Sequence, residues 1–192
     1  MIVAEGYAEP VSSPGMPMLA RDPVMVRTNP AVAAALAVAL IGAATILGAW
    51  FFEFGLGLPP CPLCLQQRIP YYAAIPLALV VALAAVRKAP RALVVAGLGV
   101  IALAMLIGVV LGVYHAGIEW KWWQGPQDCS GPLVPLGSRG LLEQLQSINV
   151  VRCDEAPWSF LGLSLAGYNA LISALLAAIA VWGIVAQRRA PS

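Results

Sequence analysis

Residues 92–114, ALVVAGLGVIALAMLIGVVLGVY, run for 23 positions without a charge or a proline. At about 1.5 Å per helical residue such a run reaches roughly 34 Å, and the hydrocarbon core of a bilayer is about 30 Å thick. The stretch reads as a transmembrane helix. The same ruler picks out three more spans, at 31–52, 69–86 and 161–186. Composition agrees, with 60% of the 192 residues apolar and only 10% charged, a balance that points to an integral membrane protein. Lipid offers the backbone no hydrogen-bonding partner, so a spanning segment must be a helix or a strand of a closed barrel. None of the four runs shows the alternating ten-residue pattern of a barrel strand. The expected fold is an all-α membrane protein, a four-transmembrane-helix bundle over 30–187 with loops at 53–68 and 115–160.

Basic residues in short flanking segments set the orientation of such a bundle. Arg21, Arg27, Arg87, Lys88, Arg91, Arg188 and Arg189 fall on one side, seven of the eleven basic residues. That side is expected to be cytoplasmic and to hold both termini. The other side carries Arg68, Lys121, Arg139 and Arg152 among six acidic residues, together with all four cysteines. Trp50, Trp120, Trp122, Trp123 and Trp158 gather there too, as interfacial anchors do, and Trp182 marks the opposite face. Residues 1–29 have no apolar periodicity and read as a disordered cytoplasmic tail, and 188–192 as a second short one. A cleaved secretory signal is not expected, because the first apolar run starts some thirty residues in and lacks a compact basic flank. Five glycines within the spans, Gly42, Gly48, Gly97, Gly108 and Gly112, suit close helix packing.

Four thiols on the non-cytoplasmic side imply a compartment that permits disulfides. They fall as one close pair, Cys61 and Cys64, and two separated residues, Cys129 and Cys153, and four cysteines allow three pairings. Two static bridges stapling the loops are one reading. A bridge across two intervening residues is a poor staple, however, since it closes a very short loop and removes little unfolded-state entropy. Redox activity suits the close pair better. Structural zinc commonly takes two closely spaced pairs, whereas 23 residues separate Cys129 from Cys153, so no metal is expected. Covalent haem needs a histidine directly after the second cysteine, where Leu65 stands.

Three features together resemble the DsbB family, the quinone-dependent thiol oxidases of the bacterial inner membrane. They are Pro60-Cys61-Pro62-Leu63-Cys64 followed by Gln67-Arg68, the separated Cys129 and Cys153 between helices three and four, and Trp158-Ser159-Phe160-Leu161-Gly162 entering helix four. The resemblance spans 31–186. It implies a DsbA-like periplasmic oxidase as partner, ubiquinone or menaquinone as electron acceptor, contact with membrane lipid and no nucleic acid. The potentials known for that system explain the acceptor. DsbA lies near −120 mV, glutathione-buffered oxidising compartments near −200 mV, and the gap of about 80 mV over two electrons is roughly 3.7 kcal/mol uphill for glutathione disulfide.

The resemblance also implies roles. The partner thiolate attacks a Cys129–Cys153 disulfide, the released Cys153 attacks Cys61, and Cys64 leaves as the thiolate that passes electrons to quinone. Arg68 is expected to polarise a quinone oxygen, and a helix-two N-terminus facing the cysteines to favour the Cys64 thiolate. His115, at the end of helix three, stands where a quinone head group could accept a hydrogen bond, though a histidine merely satisfied at the interface fits the sequence equally. Glu53 and Gln67 are lesser candidates. Because Pro70 lacks an amide donor, helix two is expected to start properly only near Gln67 or Arg68, leaving a turn to bring Cys64 and Arg68 together. Leu141, Leu142, Leu145 and Ile148, interleaved with Glu143, Gln144 and Gln146, predict a short amphipathic helix over 139–148 lying on the membrane.

Two rivals stand beside this reading. The vitamin K epoxide reductase family also joins a four-helix bundle to a quinone, but there the loop cysteines precede the C-x-x-C, the reverse of the order here. A non-enzymatic membrane protein with static loop disulfides is the other, and its cysteines would never change state.

Overall fold

A computed structural model of the chain describes residues 29–126 and 152–189. Helix α1 spans Pro30–Trp50 and opens into a π-helical turn, Phe51–Gly55. Helix α2 spans Pro62–Val86, α3 spans Arg91–Glu119, and a hairpin of β1 (Ser159–Phe160) and β2 (Leu163–Ser164) leads into α4, Leu165–Arg189. All four helices are long and apolar enough to cross a membrane, so the four-helix bundle is what the chain forms. Asn29 starts α1 by accepting the Ala31 amide at 3.0 Å, and Pro30 occupies the first helical position, where its missing donor is harmless.

The helices pack in the cyclic order α1, α2, α3, α4, with α3 against α4 the most extensive contact and the α1–α3 diagonal barely touching. Small residues make this possible. Ala34, Ala35, Ala78 and Ala180 are fully buried beside Leu98, Ile101, Met105 and Leu176, while Leu40, Leu103 and Val110 face outward. Lipid solvates those outer side chains, so association rests on close packing and interhelical hydrogen bonds rather than on escape from water. Gly112 shows how close the packing is, because a Cβ there would lie 2.9 Å from both the Cβ and the backbone nitrogen of Ala170. Tyr71 and Ser173 share a buried hydroxyl hydrogen bond of 2.9 Å that joins α2 to α4.

Three boundaries differ from those expected. Helix α2 begins at Pro62 rather than at 69, because Pro62 itself takes the tolerated first position and Pro70 and Pro76 are carried inside the helix. Each interior proline frees one carbonyl, of Gln66 and of Tyr72, a smaller penalty in lipid than unwinding several residues. Helix α3 continues beyond 114 to Glu119, which brings His115 inside it. Helix α4 starts at Leu165 rather than 161, since Leu161 and Gly162 both have positive φ, 50° and 80°, and form the two-residue turn of the hairpin that pairs Phe160 with Leu163. The tail at 1–28 and the amphipathic helix at 139–148 lie outside the described residues.

Candidate active site

Pro59 and Pro60 stop any helix ahead of Cys61, which stays extended at φ −73°, ψ 165° as the N-cap of α2. Its Sγ accepts the Cys64 amide at 3.2 Å, so the helix terminus serves Cys61, not Cys64 as the sequence suggested. Cys64 lies in the first turn, its Sγ 2.7 Å from that of Cys61, and both are free thiols. A disulfide needs about 2.05 Å between sulfurs, so closing this pair takes only a small side-chain rotation. Arg68 follows Cys64 by four residues on the same continuous helix, and no intervening turn is required.

The Cys61 thiol is held down to about 5, first by the hydrogen bond from Cys64 and then by His115 and the Cys64 amide, against burial, which pushes it up. A depressed value keeps the thiolate as pH falls, so the thiolate ultraviolet absorbance of Cys61 in reduced protein should persist well below neutrality and disappear only near pH 5. A midpoint close to the ordinary ~8.5 of a free cysteine would contradict the geometry.

His115 is buried against this pair. Its Nε2 lies 3.7 Å from Cys61 Sγ, and its Nδ1 lies 2.6 Å from Gln67 Nε2. Asn169 Nδ2 in turn donates to Gln67 Oε1 at 2.7 Å. The two amides thus assign the ring: Gln67 donates to Nδ1, which leaves the Nε2 hydrogen directed at Cys61. Glu119, one turn beyond His115, approaches Nε2 at 3.9 Å and accepts a hydrogen bond from Ser164 Oγ. On the other side of the dithiol, Arg68 Nη1 meets Glu53 Oε2 at 2.5 Å, a contact made possible by the π-helical turn that carries Glu53.

Cys153 is in a disulfide and buried. Its Sγ, the Cys61 Sγ and an imidazole nitrogen of His115 all lie within 4.8 Å of one another. The segment is tied down outside the membrane by Lys121, whose Nζ donates to Asp154 Oδ2 at 2.8 Å and to the Asp154 carbonyl at 2.9 Å. Arg152 also donates to Asp154, and the two cations hold the Asp154 carboxyl well below the usual carboxylate range. Cys129 lies outside the described residues.

Beside the dithiol is a cavity of about 750 Å³ between α1, α2 and α4. Its walls are largely apolar, from Ile46, Phe52, Leu58, Trp158, Leu165 and Ile172, and its polar lining includes Cys64, Gln67, Arg68, His115, Arg152 and Asn169. Trp158 roofs it, its ring 5.1 Å from that of Phe52. Cys61 borders the cavity and also faces Cys153, which does not. Of the residues expected from sequence, Cys61, Cys64, Arg68, His115 and Cys153 therefore converge on one place. Asn169, Glu119 and Ser164 were not anticipated. A polar residue four positions after His115 was the available sign of Glu119, hidden by ending helix three too early, whereas Asn169 meets Gln67 across 102 residues and gives no local signal.

The family model described as Disulfide bond formation protein DsbB matches residues 31–183. Disulfide bond formation protein B of Aromatoleum aromaticum is 30% identical over 143 residues, covering 72% of this chain and 82% of the relative. Disulfide bond formation protein B 2 of Pseudomonas entomophila is 34% identical over 157 residues, covering 78% and 88%, and Disulfide bond formation protein B of Verminephrobacter eiseniae is 32% identical over 152, covering 74% and 82%. No solved structure matches.

Proposed function

The chain belongs to the DsbB family of membrane disulfide bond formation proteins, and we propose that it reoxidises a DsbA-like dithiol oxidase and passes the electrons to a membrane quinone. What supports this reading most is that Cys61 faces Cys153 on one side and, with Cys64, borders an apolar cavity on the other.

The relay runs through thiol–disulfide exchange. The partner's thiolate attacks at Cys129, Cys153 leaves, and the Cys153 thiolate attacks Cys61 in the oxidised Cys61–Cys64 pair, releasing Cys64 as thiolate. Burial of Cys153 beside Cys61 makes the second exchange a short movement of packed groups. A quinone supplies an acceptor for two electrons and two protons. The cavity suits one in size and polarity: apolar walls for the ring and chain, and Arg68 and His115 at the margin to bind ring oxygens. Arg68, held in an ion pair by Glu53, lines the cavity beside Cys64 and offers a quinone oxygen a charged donor. His115, with its Nε2 hydrogen on Cys61, stabilises negative charge on that sulfur.

Arg87, Lys88 and Arg91 at the α2–α3 end and Arg188 and Arg189 ending α4 support, through the positive-inside rule, a cytoplasmic placement of that end and a periplasmic one for the cysteines.

Anaerobic mixing of the purified protein with a reduced thioredoxin-like partner and ubiquinone or menaquinone, followed by quinone absorbance, tests the proposal. Quinone loss stoichiometric with partner thiol is expected, and none would overturn it. Arg68→Ala should raise the quinone KM at least about tenfold, the worth of one charge-assisted hydrogen bond, while thiol exchange with the partner continues at its usual rate. Unchanged quinone use at limiting quinone would remove Arg68 from the site.

A further inference from the structure

Glu119 is a buried carboxyl that the relay leaves idle. It ends α3, its side chain is 6% exposed, and among the described residues its ion-pair partner is His115. A carboxylate out of water is costly unless it is paired. One of its oxygens is provided for: Ser164 Oγ, which accepts the Gly167 amide at 3.2 Å, donates its own hydrogen to Glu119 Oε2. The other, Oε1, lies 3.9 Å from His115 Nε2, too far for a hydrogen bond.

The cause of that gap is the sulfur on the same nitrogen. With the Cys61–Cys64 pair reduced, the Nε2 hydrogen is directed at Cys61 Sγ, 3.7 Å away, so two acceptors compete for one hydrogen. The Cys61 thiolate wins, since it also draws the Cys64 hydrogen and the Cys64 amide. In the disulfide form Cys61 carries no charge, and an approach of about 1 Å hands the ring hydrogen to Oε1. Reduction therefore takes away the partner of Glu119 and sets a second anion beside the same ring, and both changes favour a neutral carboxyl. The groups whose charge acts on Glu119 are His115 on its own helix and Cys61 at the start of α2, with Cys64 coupled to it in turn. Beyond the helix end, Lys121 and Arg152 are committed to Asp154 and supply no counter-charge.

We propose that Glu119 takes up a proton when the Cys61–Cys64 pair is reduced and releases it when the pair is reoxidised. The proposal rests on the relay only for where that proton goes next. Two electrons enter the Cys61–Cys64 disulfide with two protons, one ending on the Cys64 sulfur and one on Glu119, and Cys61 is left as the thiolate. On reoxidation two electrons and two protons leave together, the set that turns a quinone into a quinol.

The test equilibrates the full-length chain in detergent with mixtures of reduced and oxidised dithiothreitol, without partner or quinone, and reads the reduced fraction of the Cys61–Cys64 pair by thiol trapping and peptide mapping. Between about pH 6 and 8 reduced dithiothreitol keeps both its protons, while Cys61, held down to about 5, is a thiolate throughout. A pair that takes up two protons then has an equilibrium constant independent of pH. Glu119→Gln takes up one, and its constant for reduction should rise about tenfold per pH unit. Infrared difference spectra of the unsubstituted protein give a reading that needs no variant: a protonated-carboxyl stretch, shifted in D₂O, should appear on reduction. A tenfold rise per pH unit in the unsubstituted protein, a flat profile in Glu119→Gln that keeps its helical circular dichroism, or no carboxyl band on reduction would each overturn the proposal. Quinone reduction is measured in the same preparation. Its absence, with the flat profile and the carboxyl band present, would uphold the role of Glu119 and overturn the relay.

Discussion

Cys64→Ser should lower quinone reduction by at least about a thousandfold, the scale of losing a nucleophile that acts as part of a unit, and should leave Cys61 joined to Cys153. The cross-link follows from the geometry. Cys61 lies within 4.8 Å of the Cys153 sulfur and keeps its His115 and backbone-amide contacts in the variant, so its thiolate attacks the Cys153 disulfide and releases the other thiol, an exchange that consumes no oxidant. In the natural protein Cys64, 2.7 Å away, resolves this bridge by attacking Cys61, forming the Cys61–Cys64 disulfide and releasing the Cys153 thiolate. Serine cannot. Peptide mapping under non-reducing conditions after thiol trapping reads the bridge directly. Cys61→Ser should lose as much activity and form no such bridge. Activity within tenfold of the unsubstituted protein, or Cys61 found only as a free thiol in Cys64→Ser, would contradict the proposed order of sulfurs.

The second large effect is structural. Gly112→Val should destabilise the bundle by about 3 kcal/mol, the upper part of the usual range for overpacking. The first added carbon meets Ala170 at 2.9 Å on its Cβ, 2.9 Å on its nitrogen and 3.0 Å on its Cα, and a helix backbone cannot step aside as a flexible side chain does. Helix α4 must move off α3, and Asn169, the neighbour of Ala170, moves with it and leaves Gln67. Unfolding in mixed detergent followed by circular dichroism should therefore shift to milder conditions, and residual folded protein should show a weakened His115 arrangement as slower quinone use. Gly99→Val, also in α3 but with nothing within 4 Å of its new carbon, should be within about 0.5 kcal/mol of the parent, the range of a surface change. Equal stability of the two variants would show that the α3–α4 contact is not limiting.

Hydropathy made the bundle legible because lipid leaves a spanning backbone almost no alternative to the helix. The ends of helices were harder to read. Pro70 looked like a boundary, yet the bilayer favours keeping the helix intact through it, and the true start is marked by Pro62 in the position prolines prefer. At the other end of the site, 161–164 is apolar enough to extend helix four, and only the local demand of the Leu161–Gly162 turn shows that it is a hairpin. The site itself was half visible. Cys61 and Cys64 announce themselves by spacing, and Arg68 by being a lone cation at a span's edge. That Gln67 would address His115, and Asn169 address Gln67, depends on three helices meeting, which no single stretch of sequence encodes. The expectation that the helix terminus would favour Cys64 failed for the same reason as the helix boundary: moving the start to Pro62 hands the amide to Cys61.

The amide chain from Asn169 through Gln67 to His115 has a consequence for the membrane as a barrier. An imidazole between two proton carriers would be a conduit, and this one sits at the head of a bundle of four helices long and apolar enough to cross a membrane. Its inward-facing nitrogen, however, touches Gln67, and carboxamides neither take up nor release protons at physiological pH. Deeper in, the described residues provide the Tyr71–Ser173 hydroxyl pair and then alkyl groups such as Leu98, Ile101 and Met105. In the proposed relay, hydrogen ions liberated by thiol oxidation would thereby stay at the cysteine face and the cavity beside it, and electrons would reach the quinone without opening a proton path through the bundle.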